Sequence, residues 1–501
     1  MFNGYVISST TIILCSVALQ GEKCEAYRLH LKRVPFQICA RALGDLQGVT
    51  IQDYANRKLV RYFGGLPYAE TGTTRFCCCQ PLTSGYQHGI RFTGSTSCCP
   101  QQTFYNEAPA ETGEDCLQLN IHIPDEEKPP DGWPVFPKLT VVSCNMATPT
   151  KIQNFDSVFR AVVVIPAYRL NAFGFLASHE LRDESGTIGN MGFWDQRLAL
   201  NWTAKNIGSF GGDASKITVA VYSAGAHSTF YQLAHELYFV PDDDVLIKRP
   251  KTLDEHQKQF GELLAQLNIP SDQTPDNMQL CEFRAVSDDL FVRKDLMARI
   301  NDGGSSARMK RRGVKIMNGE CRDEHHLYQA WLIPASWYQA VANRLRADYP
   351  DGVVEKVIKQ VDNNTNDWQA CFGHLYANMQ VHWLEHGFNN AFAKGGLEPG
   401  RDLLRHRIDW RATCVELPPE WGVTHTSDLA IWLWSDGLTN AEKDRLRPWN
   451  EALAKFVGGK KAEWDTHHAK QVKRLRANEM DVWLDDQWEE GVKMWKVLTA
   501  N

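Results

Sequence analysis

Three residues of this chain have the types and surroundings that acyl-transfer chemistry requires. Ser223 stands in Val221-Tyr222-Ser223-Ala224-Gly225, between an apolar run and a helical stretch. A serine in so sharp a turn holds its Oγ beyond the carboxyl end of a sheet, beside helix N-terminal N–H groups that can receive negative charge. Serine is also an ordinary helix cap, so this residue alone defines no site. Glu324 lies in Asn318-Gly319-Glu320-Cys321-Arg322-Asp323-Glu324-His325-His326, just after the strand-like run 312–317. A carboxylate there can orient an imidazole and stabilise its cation; taken singly, it is one acid in a charged loop. His425, in Gly422-Val423-Thr424-His425-Thr426-Ser427-Asp428, can serve as general base toward a hydroxyl and then as general acid toward a leaving group. It is one of 16 histidines, so it too needs its partners to mean anything. The adjacent His325 and His326 lack the i, i+4 spacing of a helical zinc site, and no metal ligand set is expected.

The elements that must position these residues follow from hydrophobic pattern. The runs AVVVI (161–165) and ITVAV (217–221) are continuous and β-branched, the mark of strands buried on both faces of a parallel sheet. Strands are also expected in GDLQGVTI (44–51), KLVRYFGGLPYAE (58–70) and CLQLNIHI (116–123), with helices over 194–206 and 226–237. Alternating strands and helices imply an α/β fold, with a mostly parallel central sheet flanked by helices in one domain over 43–501. Two amphipathic stretches, 253–269 and 288–300, form a helical cap-like insertion at about 250–300. Beyond 330 the chain reads as helical and tryptophan-rich, with a last strand-like piece at 430–434. The region 436–501 is expected to be helical, its basic stretch AKQVKRLRANEM a solvated helix face.

Composition removes several alternatives. With 43% hydrophobic and 23% charged residues the chain is an ordinary globular one, which excludes wholesale disorder. Lys plus Arg number 54 against 60 acids, so there is no basic surplus to offer a nucleic acid. The 14 cysteines contain no paired CxxC motifs, which argues against a zinc ribbon or redox centre. In the runs Cys77-Cys78-Cys79 and Cys98-Cys99 at most one residue of each is expected to pair, since neighbours cannot easily bridge each other. Residues 5–19 (YVISSTTIILCSVAL) are apolar but shorter than the roughly 20 residues of a spanning helix. No Lys or Arg precedes them and no clean small-x-small site follows. Residues 1–42 are therefore set apart as a leader of unassigned type, a cytoplasmic location is preferred to secretion, and no membrane span is expected.

The three candidates run Ser, Glu, His along the chain at the ends of sheet strands, which is the α/β-hydrolase order. Around them stand Phe63-Gly64-Gly65-Leu66-Pro67-Tyr68-Ala69, Arg75-Phe76, Cys99-Pro100-Gln101 and Glu114-Asp115-Cys116-Leu117-Gln118-Leu119-Asn120. Tyr168-Arg169-Leu170-Asn171-Ala172-Phe173-Gly174-Phe175-Leu176, Gly189-Asn190-Met191-Gly192-Phe193-Trp194-Asp195-Gln196-Arg197 and Phe210-Gly211-Gly212-Asp213 follow in order. From about Leu43 to Ser435 this text resembles a fungal-type member of the type B carboxylesterase family, the cholinesterase-like esterases and lipases. The resemblance implies an α/β-hydrolase fold and hydrolysis of a small carboxylic ester through an acyl-enzyme, without metal or organic cofactor. It implies Ser223 as nucleophile, Glu324 as triad acid, His425 as base, the Ala224 N–H as an oxyanion donor, and a disulfide between Cys99 and Cys116.

Three departures fall near the chemistry. The family's His-Gly-Gly-Gly turn is missing between Trp133 and Ala161, and there is no glycine from Val135 to Phe173. Those glycines let N–H groups approach the oxyanion, and losing one donor typically costs about 10²–10³ in turnover. Val221 stands where a glycine is expected two residues before the serine. The strand expected after the helix 226–237 is cut to the stub Val245-Leu246-Ile247-Lys248-Arg249, a serious loss unless another segment replaces it. An esterase with an altered oxyanion hole is the leading reading. A catalytically inactive, cholinesterase-like binding protein and the product of a defective gene model are the alternatives.

Overall fold

The structure is a computed structural model that describes residues 5–9 (backbone only), 32–40, 42–53, 56, 58–70, 76–87, 90–94, 96–101, 112–139, 160–179, 181–182, 186–221, 224–238, 284–330, 334, 337–360, 367–432 and 437–499. Its strands are β1 (Tyr5–Ser9), β2 (Lys32–Ala40), β3 (Gly44–Gln52), β4 (Lys58–Pro67), β5 (Gln118–Pro124), β6 (Trp133–Leu139), β7 (Val162–Pro166), β8 (Gly212–Val221), β9 (Lys315–Cys321), β10 (Leu403–Ile408), β11 (Gln471–Leu475) and β12 (Met480–Leu484). They form one sheet in the order β12-β11-β10-β9-β1-β8-β6-β7-β5-β4-β3-β2. The middle, from β11 to β7, is parallel, and antiparallel strands close both ends. The expected α/β-hydrolase architecture is therefore present as a mixed sheet with flanking helices.

The two faces of the sheet are packed by alternation. In β9 and β10, Ile316 and Leu403 enter the core that holds Tyr231, Leu237 and Trp495. Their neighbours Met317 and Leu404 enter the opposite core with Trp449, Phe456 and Trp464. A strand pointing successive side chains to opposite faces can serve both layers at once. The helix Ala224–Tyr238 covers the first face. Asn440–Val457, begun by a capping box between Thr439 and Glu442, covers the second.

β1 lies between β8 and β9 and is parallel to both, with Tyr5 opposite Thr218 and Lys315. Residues 5–9 and 32–40 thus pair within the sheet. The stub 245–249 lies outside the described residues.

Other expectations need correction. The C-terminal region 436–501 is not helical throughout. AKQVKRLRANEM contains β11 and a turn into β12, and Arg474 bonds Asp481 across the hairpin at 2.7 and 2.9 Å. The piece at 430–434 belongs to a short helix, Leu429–Trp432, as far as it is described. In the insertion, 253–269 lies outside the described residues. Within 288–300 only Leu296 onward is helical, because the Asp288 side chain accepts N–H groups of Leu290, Phe291 and Val292 and makes a turn there instead. Cys99 and Cys116 are disulfide-bonded, as the resemblance implies. Cys98 is disulfide-bonded too, so both members of that run pair, not one.

Candidate functional site

β8 ends at Val221 and the next helix starts at Ala224. Tyr222 and Ser223 between them, and the segment 140–159 where the glycine-rich turn is expected, lie outside the described residues. At the first position of its helix, Ala224 has an N–H that no intrahelical carbonyl accepts. β6 runs beside β8 at this end, with Lys138 opposite Ala220 and Leu139 opposite Val221.

Glu324 and His425 are 101 residues apart in sequence and meet at the carboxyl end of β9. His425 Nδ1 lies 3.0 Å from Glu324 Oε2, and both residues are only 3% exposed. The other carboxylate oxygen, Oε1, accepts the Cys321 N–H at 3.0 Å. Two backbone-anchored contacts fasten the loops together. The Asp323 N–H donates to Val423 O at 2.9 Å, and the Val423 N–H donates to Asp323 Oδ2 at 2.7 Å. Gly422 permits this approach: φ is +55°, and a Cβ there would come 2.2 Å from Asp323 Oδ2. The local sequence therefore fixes the acid and the imidazole before any substrate arrives.

The surroundings are buried and charged. Asp428, three residues after His425, accepts the Trp432 Nε1–H at 2.9 Å. Burial and then the neighbouring Glu324 charge push its carboxyl up. Burial pushes the Lys138 ammonium down to about 8, against the pull of Asp428. The Cys321 thiol is pushed up by burial and then by Asp428, Glu324 and Glu320, so it stays neutral and is no competing nucleophile. The His325 ring stacks on His374 at 3.8 Å, with His326 at 4.1 Å. Sequence reasoning missed Asp323, Asp428 and Lys138. Asp428 shares the histidine's loop and could have been found there, but Lys138 reads as an ordinary strand-end lysine.

The model of the carboxylesterase family matches residues 36–238. A carboxylic ester hydrolase of Gibberella moniliformis is 42% identical over 92% of this chain and 96% of its own length. An uncharacterised esterase/lipase of Schizosaccharomyces pombe is 30% identical over 91% of this chain and 96% of its own. The chain belongs to the carboxylesterase family. It is a carboxylic ester hydrolase of the serine type, acting on small ester substrates, as the resemblance led one to expect. A PNB esterase structure superposes with a TM-score of 0.69 over 92% of this chain and 99% of its own; at 19% identity that likeness speaks for the α/β-hydrolase fold. Among the described residues of this carboxylesterase, no helix is long and apolar enough to cross a membrane.

Proposed function

We propose that this esterase works through Ser223 as nucleophile, His425 as general base and acid, and Glu324 as the carboxylate that orients the imidazole. The observation that carries the reading is the buried bond between His425 Nδ1 and Glu324 Oε2 at 3.0 Å. With Nδ1 committed to the carboxylate, Nε2 is the nitrogen that takes the Ser223 proton as Oγ attacks the ester carbonyl. The tetrahedral oxyanion is met by the Ala224 N–H. Its collapse breaks the ester C–O bond, and His425 returns the proton to the departing alcohol. Water, deprotonated by His425, then attacks the acyl-enzyme, and the acid leaves as Ser223 regains its proton. The glycines missing from the expected loop bear on the oxyanion side, where losing one donor typically costs about 10²–10³ in turnover.

Intact-protein mass spectrometry after treatment with a fluorophosphonate tests this. One covalent adduct is expected in the wild type, absent from Ser223→Ala and slowed by at least about 10³-fold in His425→Ala. Unchanged labelling or ester hydrolysis in Ser223→Ala would overturn the assignment. A folded wild type that takes no adduct would favour the binding-protein alternative.

A further inference from the structure

The turn that carries His425 is strained. The Ser427 N–H donates to Thr424 O at 3.1 Å, which closes a turn with His425 second and Thr426 third. Thr426 has a φ of +75°, while His425 is not among the residues with positive φ. A turn with that pattern calls for glycine or asparagine at its third position. Among the described residues, six other than glycine have positive φ, and five of them are Asn or Asp. Thr426 is the exception, a β-branched residue whose Cβ crowds the backbone in this region. The residue next to the proposed base therefore holds a conformation that its own side chain disfavours.

Such a turn persists only where its surroundings hold it in place. Beyond it, Asp428 O accepts the N–H groups of Ile431 and Trp432 at 2.9 and 3.0 Å, and Asp428 Oδ2 accepts the Trp432 Nε1–H at 2.9 Å. Before it, Asp323 Oδ2 accepts the Val423 N–H at 2.7 Å, beside the backbone bond from the Asp323 N–H to Val423 O at 2.9 Å. Arg322 Nη2 donates to the same carboxylate oxygen at 2.8 Å. The Arg322 N–H donates to Ile408 O at 3.0 Å, so the carboxylate is itself tied to the end of β10. Only Thr424 separates Val423 from His425, and Glu324 directly follows Asp323. The carboxylate that holds the imidazole and the one that grips its loop are thus neighbours in the chain.

We propose that Asp323 is a positioning residue for ester hydrolysis: its carboxylate, bonded to the Val423 N–H, holds the strained turn that presents His425 to Glu324. The inference rests on the triad reading above. Without that bond Thr426 is free to relax to negative φ, which swings the preceding peptide and carries the imidazole off Glu324. Glycine at 426 adopts positive φ without strain, so it should keep His425 in place even when the bond is gone. A small misplacement of a reacting group costs up to about 10²-fold in rate.

Two readouts test this: kcat per folded molecule for a p-nitrophenyl ester, and the downfield Nδ1–H proton resonance of His425, identified by its loss in His425→Ala. Asp323→Ala is expected to lose about 10–10²-fold in kcat, with KM changed much less, and to lose the resonance. Asp323→Asn keeps an oxygen acceptor for the Val423 N–H and should recover most of the loss. The double variant Asp323→Ala/Thr426→Gly should recover about tenfold in kcat and regain the resonance. A merely structural role for Asp323 predicts a smaller folded fraction with kcat per folded molecule intact, and that result would overturn the proposal. So would a double variant no faster than Asp323→Ala. Should Asp323→Ala not fold, Thr426→Gly alone decides the matter. Its urea midpoint should lie above that of the wild type; a midpoint at or below it means that the turn is unstrained and the proposal wrong. Hydrolysis that persists in Ser223→Ala while the resonance behaves as described would instead count against the triad reading.

Discussion

The two halves of the sheet are built on different physics. In β7 every residue of Val-Val-Val-Ile-Pro is buried, and its neighbours in β5 and β6 are largely apolar. In β10 the run Leu-Leu-Arg-His-Arg-Ile is buried almost as deeply, yet three of its six residues are basic. Arg405 bonds Glu385 at 2.7 Å, the Ala469 carbonyl at 2.7 Å and Asp485 at 3.0 Å, and lies over the Trp488 ring at 4.7 Å. His386 adds a bond to the same Asp485 at 2.7 Å. One half is held by removing apolar surface from water, the other by charges that satisfy one another out of water. Glu324 and His425, the proposed triad acid and base, both hang from the charged half. Polar anchoring fixes direction as well as proximity, which an imidazole–carboxylate pair requires.

The sharpest way to break the contrast is Arg405→Ala. It leaves Glu385 and Asp485 buried without their main cation, and removing one partner of a buried pair typically costs about 3–5 kcal/mol. Urea unfolding of the variant should show a loss of that size. A loss below about 1 kcal/mol would mean that the network contributes no more than a surface ion pair.

The same contrast explains what the sequence could convey. β7 and β8 are legible because a buried β-branched run has few other readings, and β5 shows its alternation openly. β10 is not legible in the sequence, because buried arginines look like surface ones until Glu385, Glu320 and Asp485 are known to face them. The hairpin β11–β12 reads as a basic helix for a related reason. Lys473, Arg474 and Arg476 read as a solvated face, whereas Lys473 pairs with Asp465, and Arg474 pairs with Asp481 and lies 5.3 Å from the Trp483 ring centre. At the site, the chain order of Ser223, Glu324 and His425 could be read directly. The zip between Asp323 and Val423, 100 residues apart, could not, nor could the Glu320–His382 pair, 62 residues apart. Such contacts depend on topology, and β1 entering between β8 and β9 is the extreme case.

The charged half should also make stability respond to pH. Burial alone would raise the Glu320 carboxyl, but His382 and Arg407 hold it well below its ordinary value of 4.5. A depressed carboxyl stabilises the fold above its unfolded value and loses that contribution as pH falls through the folded one. His382 has the opposite sign: raised above 6.5, it stabilises fully below that value and loses the contribution as pH climbs through its folded value. The pair therefore contributes most between about pH 5 and 6.5, with losses on either side. Urea midpoints measured across pH should show this excess in the wild type and a flatter profile in Glu320→Gln. An equally steep profile in the variant would place the pH response elsewhere.

The smallest expected effect belongs to the apolar half and serves as its control. Val163 and Ile165 of β7 form a small cluster with Phe136 packed against it. Ile165→Val removes one methylene from this well-filled place, a change that costs about 0.5–1.5 kcal/mol through lost burial and a small cavity. No titratable group depends on that methylene. The loss should therefore be the same at pH 5 and pH 8. If Ile165→Val instead tilted the pH profile, the two halves could not be energetically separate. Strain would then pass from β7 through β6 and β8 to the end of β9, and the division between an apolar frame and a charged mount for the proposed triad would fail.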